Sequence, residues 1–122
     1  KETISQLADY VIKQSYPHLE NEEDKYEKMF YSLVDKTAEL LAKWQVYGFQ
    51  HGVMNTDNFS VAGLTLDYGP YAFMDYFEKN SICNHTDAEG RYSYNNQPYV
   101  ARWNLFALIS ALKLICDESK LE

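Results

Sequence analysis

A histidine, an asparagine and two aspartates lie close together near the middle of the chain. The stretch reads His51-Gly-Val-Met-Asn-Thr-Asp57-Asn58, and Asp67 follows it after a short apolar segment. Amide and carboxylate oxygens are the hard ligands that Mg²⁺ takes in proteins, and water and substrate phosphates usually complete its coordination. These residue types therefore predict a metal-assisted reaction at a phosphate group.

Protein-kinase catalytic loops have the same layout, H-R-D-L-x-x-x-N followed by D-F-G, with the asparagine and the second aspartate on Mg²⁺. This chain departs from that pattern at Val53, where a kinase carries its catalytic aspartate. Gly52 replaces the arginine and Asn55 the lysine. The motif therefore predicts a kinase-type metal site without the kinase base, which argues against a conventional phosphotransferase.

A β-hairpin is predicted to join the two metal ligands. Residues 59–61 and 64–66 are short and β-prone, with Ala62-Gly63 between them. In a two-residue turn Asn58 would face Asp67, with Cβ atoms about 4.5–5.5 Å apart, close enough to share one ion. Ala disfavours the positive φ of such turns, so a register shifted by one residue stays open. The alternative is that both residues only cap turns.

Asp57 stands beside the first predicted metal ligand. A nearby cation keeps a carboxylate ionised, so Asp57 could orient or deprotonate an incoming hydroxyl. The alternative is a helix N-cap or a carboxylate that only supports the ligands. We interpret His51 as structural, holding the loop through backbone carbonyls, and no His or Cys cluster has zinc-site spacing.

Two helices are expected to position this motif. The first ends before Pro17, because proline excludes helical geometry from the residue before it. The second has the strongest apolar periodicity of the chain and is predicted from about residue 22 to 47. Asn21 is its expected N-cap and Gly48 its expected C-terminal stop, which delivers the chain directly to His51.

The chain after the motif is predicted to be less regular. Residues 71–77 suggest a short aromatic helix, and residues 78–97 are polar loop. Pro98 suits the first position of a last helix. The roughly periodic apolar residues of that helix are Trp103, Phe106, Ile109, Leu112 and Ile115.

We expect one domain over residues 1–122, cut from a larger protein, with a mainly α fold. Its parts are two helices (1–50), the loop, hairpin and metal motif (51–70), aromatic and polar loops (71–97) and a C-terminal helix (98–118). The rings at Tyr68, Tyr71, Phe73, Tyr76 and Phe77 are expected to pack beneath the hairpin, with an exposed binding patch as the alternative.

The composition of the chain argues against two classes of binding partner. The 122 residues are 46% hydrophobic and carry a formal net charge of −7. An acidic chain without clustered Lys and Arg argues against nucleic acid and against an anionic membrane surface. No apolar run is long enough to span a bilayer, and Cys83 and Cys116 are expected to be reduced thiols, so we expect a cytoplasmic protein.

The chain resembles the selenoprotein O (SelO) family of protein adenylyltransferases. The motifs that carry the resemblance lie between about residues 37 and 112: Trp44-Gln45, His51 to Asn58, Gly63-Leu-Thr-Leu-Asp-Tyr-Gly-Pro70, Ile82-Cys-Asn-His85, Gly90-Arg-Tyr-Ser-Tyr94, Asn96-Gln-Pro98 and Trp103-Asn104-Leu105. The resemblance implies a pseudokinase fold, of which this chain would be part of the C-terminal lobe. It also implies transfer of AMP, rather than phosphate, from ATP to Ser, Thr or Tyr hydroxyls of proteins.

The resemblance also implies roles for single residues. Asp57 would accept the proton, Asn58 and Asp67 would bind Mg²⁺ (with Mn²⁺ as an alternative), and Asp67 would lie close to ATP. The sequence holds no Gly-rich phosphate loop and no V-A-I-K lysine, so the N-terminal lobe is expected to be missing and the fragment inactive alone. Surface uncovered by that missing lobe would allow a homodimer of the fragment. A conventional kinase lobe and a non-enzymatic helical interaction module remain the alternatives.

Overall fold

Three helices and one small sheet build the fold. The computed structural model describes residues 1–121. The helices are α1 (Glu2–Ser15), α2 (Lys25–Tyr47) and α3 (Gln97–Leu112), and β1 (Phe49–Gln50) pairs antiparallel with β2 (Ala72–Phe73). Short 3₁₀ turns occupy Pro17–Leu19, Thr56–Asn58, Tyr94–Asn96 and Glu118–Lys120. The expectation of a mainly α fold is confirmed.

The start of α2 differs from the prediction, whereas its end agrees. Asn21 is not the N-cap, because the Glu22 N–H donates to the Leu19 carbonyl (3.0 Å) and the chain is still turning there. The helix begins at Lys25 after Asp24, which has a φ of 55°. Gly48 ends it as predicted, in the left-handed conformation with its N–H bonded to the Trp44 carbonyl.

The predicted hairpin is reduced to one bridge, with its register shifted by one residue. Phe59 pairs with Thr65, and the Gly63 N–H donates to the Ser60 carbonyl (3.2 Å) to close the turn. Gly63 takes the positive φ of 73°, which Ala62 avoids. Asn58 therefore does not oppose Asp67, and the face-to-face arrangement predicted for these two residues is wrong.

The regular sheet forms where no strand was predicted. Phe49 pairs with Phe73, and Gln50 with Ala72, so β1 immediately after α2 meets the segment beyond the motif. The aromatic helix predicted over residues 71–77 is wrong, because that segment contains β2. The sheet closes residues 51–71 into a loop whose two ends lie side by side.

The last helix begins as predicted but ends earlier. Pro98 lies in its first turn, where a missing N–H costs nothing, and the helix stops at Leu112 rather than 118. Trp103 and Phe106 are exposed rather than part of the apolar stripe. The buried face instead consists of Gln97, Val100, Ala101, Asn104, Ile109 and Leu112.

Two apolar clusters hold the elements together. The larger one joins α1, the first half of α2 and the end of α3. The smaller one contains Leu41, Met54, Val100 and Ala101 and lies directly behind the motif. Within residues 1–121 no helix is long and apolar enough to cross a membrane, and both cysteines are free thiols.

Tyr16 gives this packing a measurable pH dependence. Its side chain is fully buried, its hydroxyl donates to the Val61 carbonyl (2.7 Å), and burial raises its pKa above the ordinary 10.0. Because the pKa of Tyr16 is raised in the folded state, its hydroxyl contributes fully to the free energy of unfolding below pH 10.0. That contribution is lost as the pH rises through the folded-state pKa. We expect Tyr16→Phe to lower the free energy of unfolding by about 1 kcal/mol at pH 7 and to reduce its alkaline loss.

Urea denaturation of this chain at neutral and alkaline pH measures both effects. Tyr10→Phe is the matched control, because Tyr10 is 62% exposed. An alkaline stability profile that Tyr16→Phe leaves unchanged would contradict the role given to this hydroxyl.

Candidate active site

We call residues 51–58 the motif loop. His51 is its first residue and holds its backbone in place. Its side chain is 1% exposed and stacks on Trp44, with ring centroids 5.8 Å apart. Its Nε2 donates to the Leu66 carbonyl, and its Nδ1 accepts the Val53 N–H (3.3 Å). Both ring nitrogens therefore hold backbone groups of the loop, which agrees with the predicted contacts of His51.

Two polar side chains of α3 hold the motif loop from below. Gln97 is fully buried; its Oε1 accepts the His51 N–H (3.1 Å), and its Nε2 donates to the Phe49 carbonyl (2.9 Å). Asn104 donates to the Met54 carbonyl (2.7 Å). We did not predict these contacts. The available signal was two amide side chains on the otherwise apolar face of a helix, where a polar group must find a partner.

A second loop packs against Gly52. Asn84 donates to the Gly52 carbonyl (3.3 Å), and the φ of Gly52 is 91°. A Cβ on Gly52 would lie 2.8 Å from Cys83 Sγ and 3.1 Å from Pro70 Cγ. Burial raises the pKa of the Cys83 thiol, which fits its role as a packing group against this glycine.

Gly52→Ala is therefore expected to be costly. Strain at positive φ and the clash with Cys83 together should lower the free energy of unfolding by about 2 kcal/mol or more. Chemical denaturation of the variant measures this. Gly69→Ala is the control, because a Cβ there would meet only Asp67 Oδ1, at 3.6 Å. Equal stability of the two variants would show that the close approach at Gly52 is unimportant.

Asn58 closes the 3₁₀ turn of the motif loop. Its backbone N–H donates to the Asn55 carbonyl (2.9 Å), and its Nδ2 donates to the Val53 carbonyl (3.3 Å). Its Oδ1 accepts no hydrogen bond from residues 1–121. The side chain is thus held by its nitrogen and leaves its oxygen free to act as a ligand.

Asp67 follows the residue that His51 holds. The His51–Leu66 hydrogen bond fixes the chain immediately before it, so the connection to the motif loop runs through the histidine and not through a ladder. Asp67 is exposed, has a φ of 55°, and forms no ion pair with another of the described residues. A non-glycine residue at positive φ costs of order 1 kcal/mol and is often found at functional sites.

Asp57 is exposed and accepts a hydrogen bond from Asn55 Nδ2. The N-cap of this turn is Asn55, so the N-cap alternative for Asp57 is wrong. Asn55 Oδ1 is buried and has no partner among residues 1–121. The carboxylate of Asp57 is therefore oriented by one neighbour and remains open to solvent.

The donor set suits a hard divalent cation that takes few protein ligands. Across residues 1–121, no three His, Cys, Asp or Glu side chains gather in a way that could hold a metal ion by themselves. Asn58 Oδ1 and the Asp67 carboxylate supply hard oxygens without competing partners. This fits the pattern of Mg²⁺, which keeps waters and substrate phosphates in its other positions.

Exposed rings flank the motif. We call Tyr68, Tyr71, Phe73, Tyr76 and Phe77 the aromatic surface; each is at least 49% exposed, so the expectation that they pack in the core is wrong. Three of them contact the buried Phe49 at centroid distances of 5.2 to 6.5 Å. The same three rings, together with Lys43 and Trp44, border a groove of about 670 Å³.

Sequence comparison identifies the class of protein to which this scaffold and motif belong. The sequence model of the family described as protein adenylyltransferase SelO matches residues 1–122. The chain therefore belongs to the SelO family, and the match extends beyond the region between residues 37 and 112 on which the resemblance first rested.

One relative is the protein nucleotidyltransferase YdiU of Pectobacterium carotovorum subsp. carotovorum (strain PC1). It is 51% identical over 121 residues, which cover 99% of this chain. The chain spans only 25% of the length of that relative.

Proposed function

We propose that this chain is the metal-bearing part of a protein adenylyltransferase, which transfers AMP from Mg-ATP to Ser, Thr or Tyr hydroxyls of proteins. The observation that carries the proposal is the His51-held loop. It joins Asn58 to the segment bearing Asp67 and has Val53, not an acid, in the position of the kinase base. Membership of the SelO family supports the same reaction class.

Asn58 and Asp67 are proposed to hold the cation, Mg²⁺ or alternatively Mn²⁺, and Asp67 also lies beside ATP. The bound cation would neutralise the charge of the pyrophosphate leaving group. The unpartnered Oδ1 of Asn58 and the unpaired carboxylate of Asp67 support this assignment. His51 positions both and touches neither reactant.

Asp57 is proposed to act as the base. The acceptor hydroxyl oxygen attacks the α-phosphorus of ATP, and its proton passes to the Asp57 carboxylate. The new oxygen–phosphorus bond forms as the bond from the α-phosphorus to the bridging oxygen breaks, and pyrophosphate leaves with that electron pair. The products are an AMP ester and pyrophosphate, so atoms and charge balance without another reactant.

We further propose that the scaffold is part of a kinase-like C-terminal lobe in a cytoplasmic protein. The N-terminal lobe of the same polypeptide would clamp the phosphates, because this chain supplies guanidinium groups only at Arg91 and Arg102. The length of the YdiU relative is consistent with further polypeptide of this kind.

The isolated chain is therefore expected to be inactive. Without phosphate-binding groups from the rest of the protein, incubation with α-phosphate-labelled ATP and Mg²⁺ should leave acceptor proteins unlabelled. The full-length protein assayed alongside is the positive control. Measurable AMP transfer by the 122 residues alone would contradict the proposal that the rest of the protein supplies the phosphate-binding groups.

A non-enzymatic interaction module is the second candidate, and the exposed aromatic surface favours it. NMR titration with Mg²⁺ and ATP distinguishes the two functions. The adenylyltransferase predicts shifts at Asn58 and Asp67 in the full-length protein. The interaction module predicts that the NMR signals of these two residues do not shift with Mg²⁺ or with ATP.

A further inference from the structure

Asn55 contacts both the proposed base and the proposed metal ligand, through different parts of the residue. Its backbone carbonyl accepts the Asn58 N–H (2.9 Å), whereas its side-chain Nδ2 donates to Asp57 Oδ1. The main chain of Asn55 therefore sets the turn that carries Asn58, and only its side chain contacts the carboxylate. A substitution of the side chain can accordingly remove the second contact and leave the first in place.

The side chain of Asn55 makes no helix cap, although the residue occupies the cap position. Asn55 is the N-cap of the 3₁₀ turn at Thr56–Asn58, with a φ of −68° and a ψ of 165°. Asparagine at such a position ordinarily accepts a backbone N–H of the turn with its side-chain oxygen. Here no side-chain capping bond forms, and the amide directs its nitrogen at Asp57 instead. The arrangement therefore favours contact with the carboxylate over the usual stabilisation of the turn.

The surroundings of Asn55 make it a fixed point beside an exposed side chain. Met54, the residue before it, is 2% exposed, and the Met54 carbonyl accepts a hydrogen bond from Asn104 of α3 (2.7 Å). The Oδ1 atom of Asn55 is buried as well, so its amide is confined. Asp57 is exposed and forms no ion pair with another of the described residues. The hydrogen bond from Asn55 is thus what restricts the rotation of this carboxylate.

The hydrogen bond divides the two oxygens of the Asp57 carboxylate between two tasks. Oδ1 accepts from Asn55, whereas Oδ2 accepts no hydrogen bond from residues 1–121. A general base must lie within hydrogen-bond reach of the proton that it removes, and a displacement of about 1 Å can cost a large part of the rate. A carboxylate held through one oxygen and free at the other meets this requirement.

We propose that Asn55 is a positioning residue for the base, an inference that rests on the proposed AMP transfer. Its Nδ2 holds Asp57 Oδ1, so that Oδ2 faces the acceptor hydroxyl. As the hydroxyl oxygen bonds to the α-phosphorus and pyrophosphate leaves, the hydroxyl proton passes to Oδ2. Asn55 keeps its own protons, contacts neither ATP nor the acceptor, and acts only through Asp57.

The test removes the donor at residue 55 in the full-length protein. Asn55→Ala deletes the amide and keeps the backbone carbonyl that accepts the Asn58 N–H. Asn55→Asp has nearly the same shape and is also a favoured N-cap, but it offers Asp57 no donor, so it preserves the test if the first variant folds poorly. Asn21→Ala is the matched control, because Asn21 is an exposed asparagine that precedes α2.

Turnover and nucleotide binding should respond differently to these substitutions. The acceptor is the peptide that the unsubstituted protein labels most strongly in a randomised library with one central Ser, Thr or Tyr. We expect both variants at residue 55 to lower kcat by about 10- to 100-fold, with the Kd for Mg-ATP retained. The control variant should keep the original kcat. An unchanged kcat in both variants at residue 55 overturns the inference.

A double variant distinguishes the positioning of the base from a general structural role. Once Asp57→Asn has removed the base, no proton acceptor is left to position, so adding Asn55→Ala should lower kcat no further. A further ten-fold loss in the double variant would assign Asn55 to the structure of the loop and overturn the inference. Failure of the unsubstituted protein to transfer AMP to any peptide would instead overturn the proposed function itself, and the role of Asn55 with it.

Discussion

Asp67→Asn is expected to abolish AMP transfer by the full-length protein, with a loss of at least about a thousand-fold in labelling rate. Asparagine has nearly the shape of aspartate and also tolerates the positive φ of 55° found at this position. The substitution therefore removes the carboxylate charge while preserving the backbone. Since the carboxylate is proposed to hold the cation beside ATP, weakened Mg-ATP binding should accompany the loss.

Labelling with α-phosphate-tagged ATP measures this effect. Asp75→Asn provides the matched control, because Asp75 is an exposed aspartate in the segment that follows the motif. Unchanged thermal stability of Asp67→Asn would separate lost chemistry from lost fold. Normal labelling by Asp67→Asn would show that the metal assignment is wrong.

Asp57→Asn is expected to lower kcat about 10²–10⁴-fold while the KM for ATP stays close to its original value. Asparagine at this position still offers an oxygen to Asn55 Nδ2, so the geometry of the loop should survive. What disappears is the ability to accept the proton of the acceptor hydroxyl. The roles proposed for the two aspartates thus separate, because only the substitution of Asp67 should also weaken Mg-ATP binding.

The pH dependence of kcat tests whether Asp57 is the base or only a positioning group. A base gives a rate that rises as its carboxylate ionises, and Asp57→Asn should lose that rise. Asp35→Asn, on the exposed face of α2, is the control. A variant with a lowered kcat but an unchanged pH profile would leave Asp57 a supporting role only.

Local signals in the sequence predicted the helices well. Pro17 and Gly48 mark helix ends through their own backbone chemistry, and both ends lie where predicted. The start of α2 was harder to predict, because Asn21 and Asp24 are both residue types that favour an N-cap. Propensity alone does not resolve a choice between two such neighbours.

The sheet and the register depended on long-range contacts that spacing does not encode. The pairing of Phe49 with Phe73 joins two segments that are separated by the whole motif. No turn signal in the local sequence therefore predicts it. At the predicted hairpin, the positive φ at Gly63 shifted the register by one residue. The chemistry of Ala62 leaves both registers open, and the sequence alone does not decide between them.

The proposed site residues follow from their types, whereas the residues that support them do not. His51, Asn58 and Asp67 carry recognisable chemistry and occur in one motif. Gln97 and Asn104 only hold backbone carbonyl and N–H groups, and their role follows from burial on α3 beneath the loop. A sequence pattern shows which groups could react more readily than which groups keep them in place.

The most direct test of AMP transfer follows two labels in parallel. The full-length protein is incubated with Mg²⁺, acceptor peptides and ATP labelled either at the α-phosphate or at the γ-phosphate. We predict that the α-label becomes covalently attached to acceptor hydroxyls, that the γ-label is released as pyrophosphate, and that Asp67→Asn stops both. Attachment of the γ-label to the acceptor would contradict the account and would make the protein a phosphotransferase.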